Sequence, residues 1–102
     1  MYSIQILLPL FDKEGKAFAQ ALYAQIRDVM TEKFGGITAY TRAPAKGFWK
    51  EDESKTVKDD IIILEIMAEV LDSKWWAVYR QKLEQTFQQD AIVIRSWQIE
   101  ML

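Results

Sequence analysis

Between Asp60 and Glu69 the chain reads Asp-Ile-Ile-Ile-Leu-Glu-Ile-Met-Ala-Glu, a run whose two alternating faces are both apolar except at Glu65. Successive strand residues point to opposite faces, so a strand of this kind is covered on both sides. In a chain of 102 residues, the length of one domain, few elements remain to supply that cover. One face can be packed by helices, and the other needs a separate explanation.

The remaining elements follow from apolar spacing. Residues 2 to 8 alternate, with Ile4, Ile6 and Leu8 on one parity and Ser3, Gln5 and Leu7 on the other, until Pro9 removes a ladder donor. From about Lys16 to Phe34, Phe18, Leu22, Ile26, Val29, Met30 and Phe34 recur at helical spacing, and Gly35-Gly36 stops the helix. Ile37 to Arg42 predicts a second strand, followed by a long hairpin connection through Pro44, Gly47 and Trp49 to Lys55. Asp60 to Glu69 is the third strand. Asp72 or Ser73 caps a second helix with the core stripe Trp76, Tyr79, Leu83 and Phe87, and Ala91 to Glu100 forms a fourth strand.

The order β-α-β-β-α-β predicts an α+β, ferredoxin-like single domain spanning residues 1–102. Right-handed crossovers then give an antiparallel sheet in the order 4-1-3-2 with both helices on one face. If Ile4, Ile6, Leu8, Ile62, Leu64 and Ile66 face the helices, the opposite parity carries Leu7, Ile61, Ile63, Met67, Val93 and Trp97. That set is too apolar for water, and a two-fold homodimer using the same patch twice is the simplest closure.

Several chemistries are excluded by composition. With no Cys and no His, the chain cannot build thiolate or imidazole zinc sites, iron-sulfur clusters, histidine-ligated haem or a Ser-His-Asp or Cys-His nucleophile. Thirteen Lys+Arg against fifteen Asp+Glu give a formal charge of −2, so no basic field draws nucleic acid or anionic lipid. The N-terminal apolar stretch is short, contains Gln5 and Pro9, and lacks a basic leader, which argues against a signal peptide or membrane span and for a cytoplasmic protein. No cofactor is implied. Glu51-Asp52-Glu53 lacks the spacing and glycine of a calcium loop, so no metal site is expected.

Three polar residues interrupt otherwise apolar strands: Gln5, Glu65 and Arg95. Parity places them on one face of neighbouring strands, with the backbones of Glu65 and Arg95 about 9 to 10 Å apart across Gln5. A half-buried Glu near an Arg can serve as a tuned acid or base or anchor a polar ligand. It can equally be a structural ion pair that sets register at a dimer interface. Around it, Tyr40, Arg42, Trp49 and Trp97 are candidate ligand-binding residues, Trp49 because it falls in a connection. Trp75 and Trp76 point about 100° apart on a helix, so Trp76 enters the core while Trp75 leans toward a sheet edge. Asp59 and Asp60 face opposite ways and cannot share a proton. Lys46-Gly47-Phe48 matches the opening of an RNA-recognition signature, but Trp49-Lys50-Glu51-Asp52 does not continue it.

The segment Gly35-Gly-Ile-Thr-Ala-Tyr-Thr-Arg-Ala-Pro-Ala-Lys-Gly-Phe-Trp49, with Asp59-Asp-Ile and Trp75-Trp-Ala-Val-Tyr-Arg80, resembles a group of small bacterial proteins of unassigned function. The resemblance implies the ferredoxin-like fold and the assembly style of dimeric α/β-barrel proteins, and brings no catalytic motif. Some relatives by fold are cofactor-independent oxygenases, and others are haem-degrading enzymes that use a histidine, which this chain lacks. Two functions are therefore expected. One is a homodimeric small-molecule binding or accessory module. The other is a cofactor-independent oxygenase- or isomerase-like enzyme in which Glu65 is the acid/base and Arg95, Tyr40 or Gln5 orients the substrate.

Overall fold

The structure is a computed structural model that describes residues 1–50 and 56–102, with side chains described outside 39–59. The elements are β1 (Tyr2–Pro9), α1 (Gln20–Phe34), β2 (Thr38–Lys50), β3 (Thr56–Ala68), α2 (Ser73–Thr86) and β4 (Ile94–Gln98). The four strands form one sheet in the order β2-β3-β1-β4, and every described pairing is antiparallel. The result is an α+β architecture compatible with the ferredoxin-like plan.

The even-numbered positions of the central strands make the core. Ile4, Ile6 and Leu8 pack with Ile62, Leu64 and Ile66, and the helices lay Tyr23, Ile26, Met30, Trp76, Tyr79 and Leu83 over them. Burial of these apolar side chains is the main favourable term in a domain of this size. An aromatic seam joins the helices. Phe34 stacks on Trp76 at 5.6 Å, Trp75 stacks on Tyr79 at 4.9 Å, and Lys33 Nζ lies 4.5 Å from the centre of the Trp75 ring. Trp75 therefore fills the seam between the helices instead of leaning toward a sheet edge.

Four elements differ in extent from the sequence expectations. Helix α1 begins at Gln20, not near Lys16, because Asp12 Oδ1 accepts from the backbone N–H groups of Glu14 and Lys16 and holds a turn there. Phe18 still reaches the core, edge-on to Phe87 at 5.0 Å, without being helical. The second strand continues to Lys50 and the third begins at Thr56, so the part of the expected hairpin connection up to Lys50 is strand, and residues 51–55 lie outside the described residues. A register shift between Tyr40 and Ala45 absorbs Pro44, which has no N–H to donate. Strand β4 is limited to Ile94–Gln98; before it, Ile92 N–H donates to Glu84 Oε2 on α2 instead of to a ladder partner.

The helix ends have distinct closures. Asp72 caps α2 by accepting from Trp75 N–H at 3.1 Å. Gly35 ends α1 in the left-handed region at φ 84°, its N–H donating to Thr31 O. A Cβ added there would meet nothing within 4 Å, so Gly35→Ala isolates the backbone strain. Its expected cost is about 1 kcal/mol, read as a lowered urea midpoint with an unchanged slope.

Two core tyrosines carry a pH signature. Burial pushes the Tyr79 phenol up to about 12 and raises that of Tyr23, whose hydroxyl donates to Pro9 O at 2.6 Å. The folded protein keeps these protons where the unfolded chain releases them near pH 10. Their stabilising contribution is therefore complete below pH 10 and is lost as pH rises toward 12. Chemical denaturation at pH 8, 10 and 11.5 should show the midpoint falling mainly over the upper interval, while the folded protein's phenolate absorbance lags that of free tyrosine.

Candidate functional site

The face away from the helices is built on the odd-numbered positions of β1. Gln5 pairs with Glu65 on one side and Arg95 on the other, so all three stand on one rung of the ladder. Gln5 links the two charged residues with its amide. Its Oε1 accepts from Arg95 Nε at 3.0 Å and Nη2 at 2.9 Å, and its Nε2 donates to Glu65 Oε1 at 3.3 Å. Glu65 Oε1 also accepts from Ser3 Oγ at 3.0 Å. A half-buried carboxylate is thus held by donors from two adjacent positions on the same face of β1.

Beside this rung lies an open cleft of about 480 Å³. Ser3 and Glu65 lie at its base, Met67 and Trp97 beside them toward its mouth, and its wall comes from Phe34 and the Gly35-Gly36 turn that leads into β2. Ser3 pairs with both Met67 and Trp97, so these four residues span two consecutive rungs. Met67 is 50% and Trp97 42% exposed, whereas Ser3 is 4% exposed. The cleft therefore has a polar, buried base and an apolar rim open to solvent. A smaller hollow of about 210 Å³ lies on the other side of β4, between Trp76 and Ile94.

Of the residues singled out from sequence, Gln5, Glu65 and Arg95 are brought together, and Trp97 stands at the cleft. The side chains of Tyr40, Arg42 and Trp49 lie outside the described residues, as do Glu51, Asp52 and Glu53. By backbone register Tyr40 pairs with Ile63, next to the cleft rung, but Trp49 pairs with Val57. Trp49 therefore belongs to a strand and not to the connection, about 26 Å along β3 from Glu65 at roughly 3.3 Å per residue.

Ser3 is the site residue that strand patterning passed over. The available signal was a second polar residue two positions from Gln5, on the same face of a strand that is otherwise apolar there. Phe34, Gly35 and Gly36 enter only through the tertiary fold, because a helix terminus reads as a stop signal and not as the wall of a cleft. Replacing Ser3 by Ala removes a donor from a half-buried carboxylate. Ser3→Ala is expected to lower stability by about 1.5 to 3 kcal/mol, measured by urea denaturation at pH 7.

These elements define a small α+β sheet protein with a polar-based cleft on its open face. No family model and no curated protein matches the chain. Among solved structures it is similar in fold to a phage SAM lyase in complex with S-methyl-5′-thioadenosine, with a TM-score of 0.63 and 14% identity over 95% of this chain and 80% of that one. The likeness extends to a phage SAM lyase in the apo state, with a TM-score of 0.59 and 14% identity over 94% and 78% of the two chains. Among the described residues, no helix is long and apolar enough to cross a membrane.

Proposed function

We propose that this chain is a cytoplasmic homodimeric module that binds a small organic molecule in the cleft over Ser3, Glu65 and Trp97, with a second copy covering the open sheet face. The carrying observation is the polar base, buried Ser3 and half-buried Gln5 holding half-buried Glu65, set into an otherwise apolar sheet face beside a cleft of about 480 Å³. Ligand sites have this make-up: mostly apolar walls, a few placed polar groups and a volume of about 300 to 1,000 Å³. The exposed Met67, Val93 and Trp97 on the same face support closure by another apolar surface. Cytoplasmic placement rests on the sequence alone.

A second reading is a cofactor-independent enzyme in which Glu65 moves a proton on the bound molecule. The fold likeness to a phage SAM lyase, a small-molecule enzyme solved with S-methyl-5′-thioadenosine, favours it. Glu65 has the position for that role, at the base of the cleft and oriented by Ser3 and Gln5.

Native mass spectrometry of protein purified without denaturation, alone and with added S-methyl-5′-thioadenosine, tests both. The expected spectrum is a dimer carrying a defined extra mass that disappears in Glu65→Gln. Chemical conversion of the bound compound by the native chain, absent in Glu65→Gln, would select the enzyme. A bare monomer with no retained or added ligand would overturn both readings.

A further inference from the structure

Three rungs cross the open face, each with β1 at its centre: Ile63-Leu7-Val93, Glu65-Gln5-Arg95 and Met67-Ser3-Trp97. We infer that two copies meet on this face about a two-fold axis running along β1, so that the partner's Arg95 reaches Glu65 and completes the cleft. This rests on the dimer proposed above and goes further, assigning the orientation of the copies and the group that the second copy contributes.

Charge and symmetry together select the axis. A two-fold that stacks two sheets face to face must lie in the plane between them. An axis across the strands at this rung would set Glu65 against the partner's Glu65 and Arg95 against the partner's Arg95, two like-charge contacts. An axis along β1 exchanges the β3 and β4 sides instead. It sets Glu65 beneath the partner's Arg95, and Arg95 beneath the partner's Glu65. The strands of the two sheets are then aligned, one of the two ways in which sheets commonly stack.

The neighbouring rungs agree with the same axis. Trp97 comes over the partner's Met67, a favourable sulfur-aromatic pairing of two exposed side chains. Val93, 37% exposed, comes over the partner's Ile63. Stacked sheets lie about 10 Å apart, a gap that an Arg and a Glu reaching from opposite sides can span. A guanidinium has five N–H donors, and Gln5 Oε1 accepts from Arg95 Nε and Nη2. In the inferred dimer the remaining guanidinium N–H groups are the donors to the partner's Glu65.

Charge exchange between copies tests this. Glu65→Arg leaves two Arg on the face and Arg95→Glu leaves two Glu, so each variant alone should lose its dimer, with Kd raised at least about a hundredfold. Mixed in equal amounts they should form a heterodimer, because every cross-contact is again Arg with Glu. Light scattering after size exclusion reads the result, and circular dichroism reports whether each variant is folded. As milder variants, Arg95→Gln and Glu65→Gln should raise Kd about tenfold and flatten the dependence of dimerisation on salt. A native dimer that survives both charge reversals or the two Gln variants unchanged, or folded reversal variants whose mixture does not associate, overturns this orientation and leaves the dimer itself standing. A native chain that is monomeric overturns the dimer reading and this inference together.

Discussion

The pairing of β1 with β3, with Gln5 opposite Glu65 and Ile4 opposite Ile66, is the constraint on which the other features depend. Side chains alternate with a period of two, so a slip of one residue would turn Ile62, Leu64 and Ile66 away from the helices and bring Glu65 and Met67 into the core. Burying Glu65 among Met30, Leu83 and Phe87 would remove its donors and cost several kcal/mol. Hydrophobic burial on one face and polar satisfaction on the other therefore select the same register.

From that register the site follows. Once Gln5 is opposite Glu65, the antiparallel pairing of β4 places Arg95 on the same rung and Trp97 beside Ser3. The amide of Gln5 can accept from a guanidinium with its oxygen and donate to a carboxylate with its nitrogen, and it does both. It thereby transmits orientation between charged groups on strands that are not neighbours. The helices contribute indirectly: the seam of Phe34, Trp75, Trp76 and Tyr79 fixes the end of α1, and with it the Gly35-Gly36 wall of the cleft.

Patterning in the sequence was sufficient for the element order, the core parity of Ile4, Ile6, Leu8, Ile62, Leu64 and Ile66, and the α2 stripe of Trp76, Tyr79, Leu83 and Phe87, all of which are buried. It misjudged the start of α1, because a side chain accepting two backbone N–H groups at Asp12 outweighs apolar spacing that is only continued by Phe18. It misjudged the hairpin because Pro44 and Gly47 read as loop residues, whereas a register shift keeps both segments paired. Tyr23 escaped the core stripe since its hydroxyl marks it as amphipathic; buried, it finds the carbonyl of Pro9.

The sequence by itself determined that β3 is apolar on both faces except at Glu65, that no thiol or imidazole chemistry is available, and that Gln5, Glu65 and Arg95 share a face. Those conclusions need only alternation and composition, which are local properties of the chain. Only the tertiary structure decided that Ser3 joins Gln5 in holding Glu65, that the Gly35-Gly36 turn walls a cleft beside them, and that Trp49 stands far along the hairpin. The reason is physical: a rung is fixed by hydrogen bonds between segments some 60 and 90 residues apart, and neither spacing nor propensity within one segment encodes which residue of another will stand opposite it.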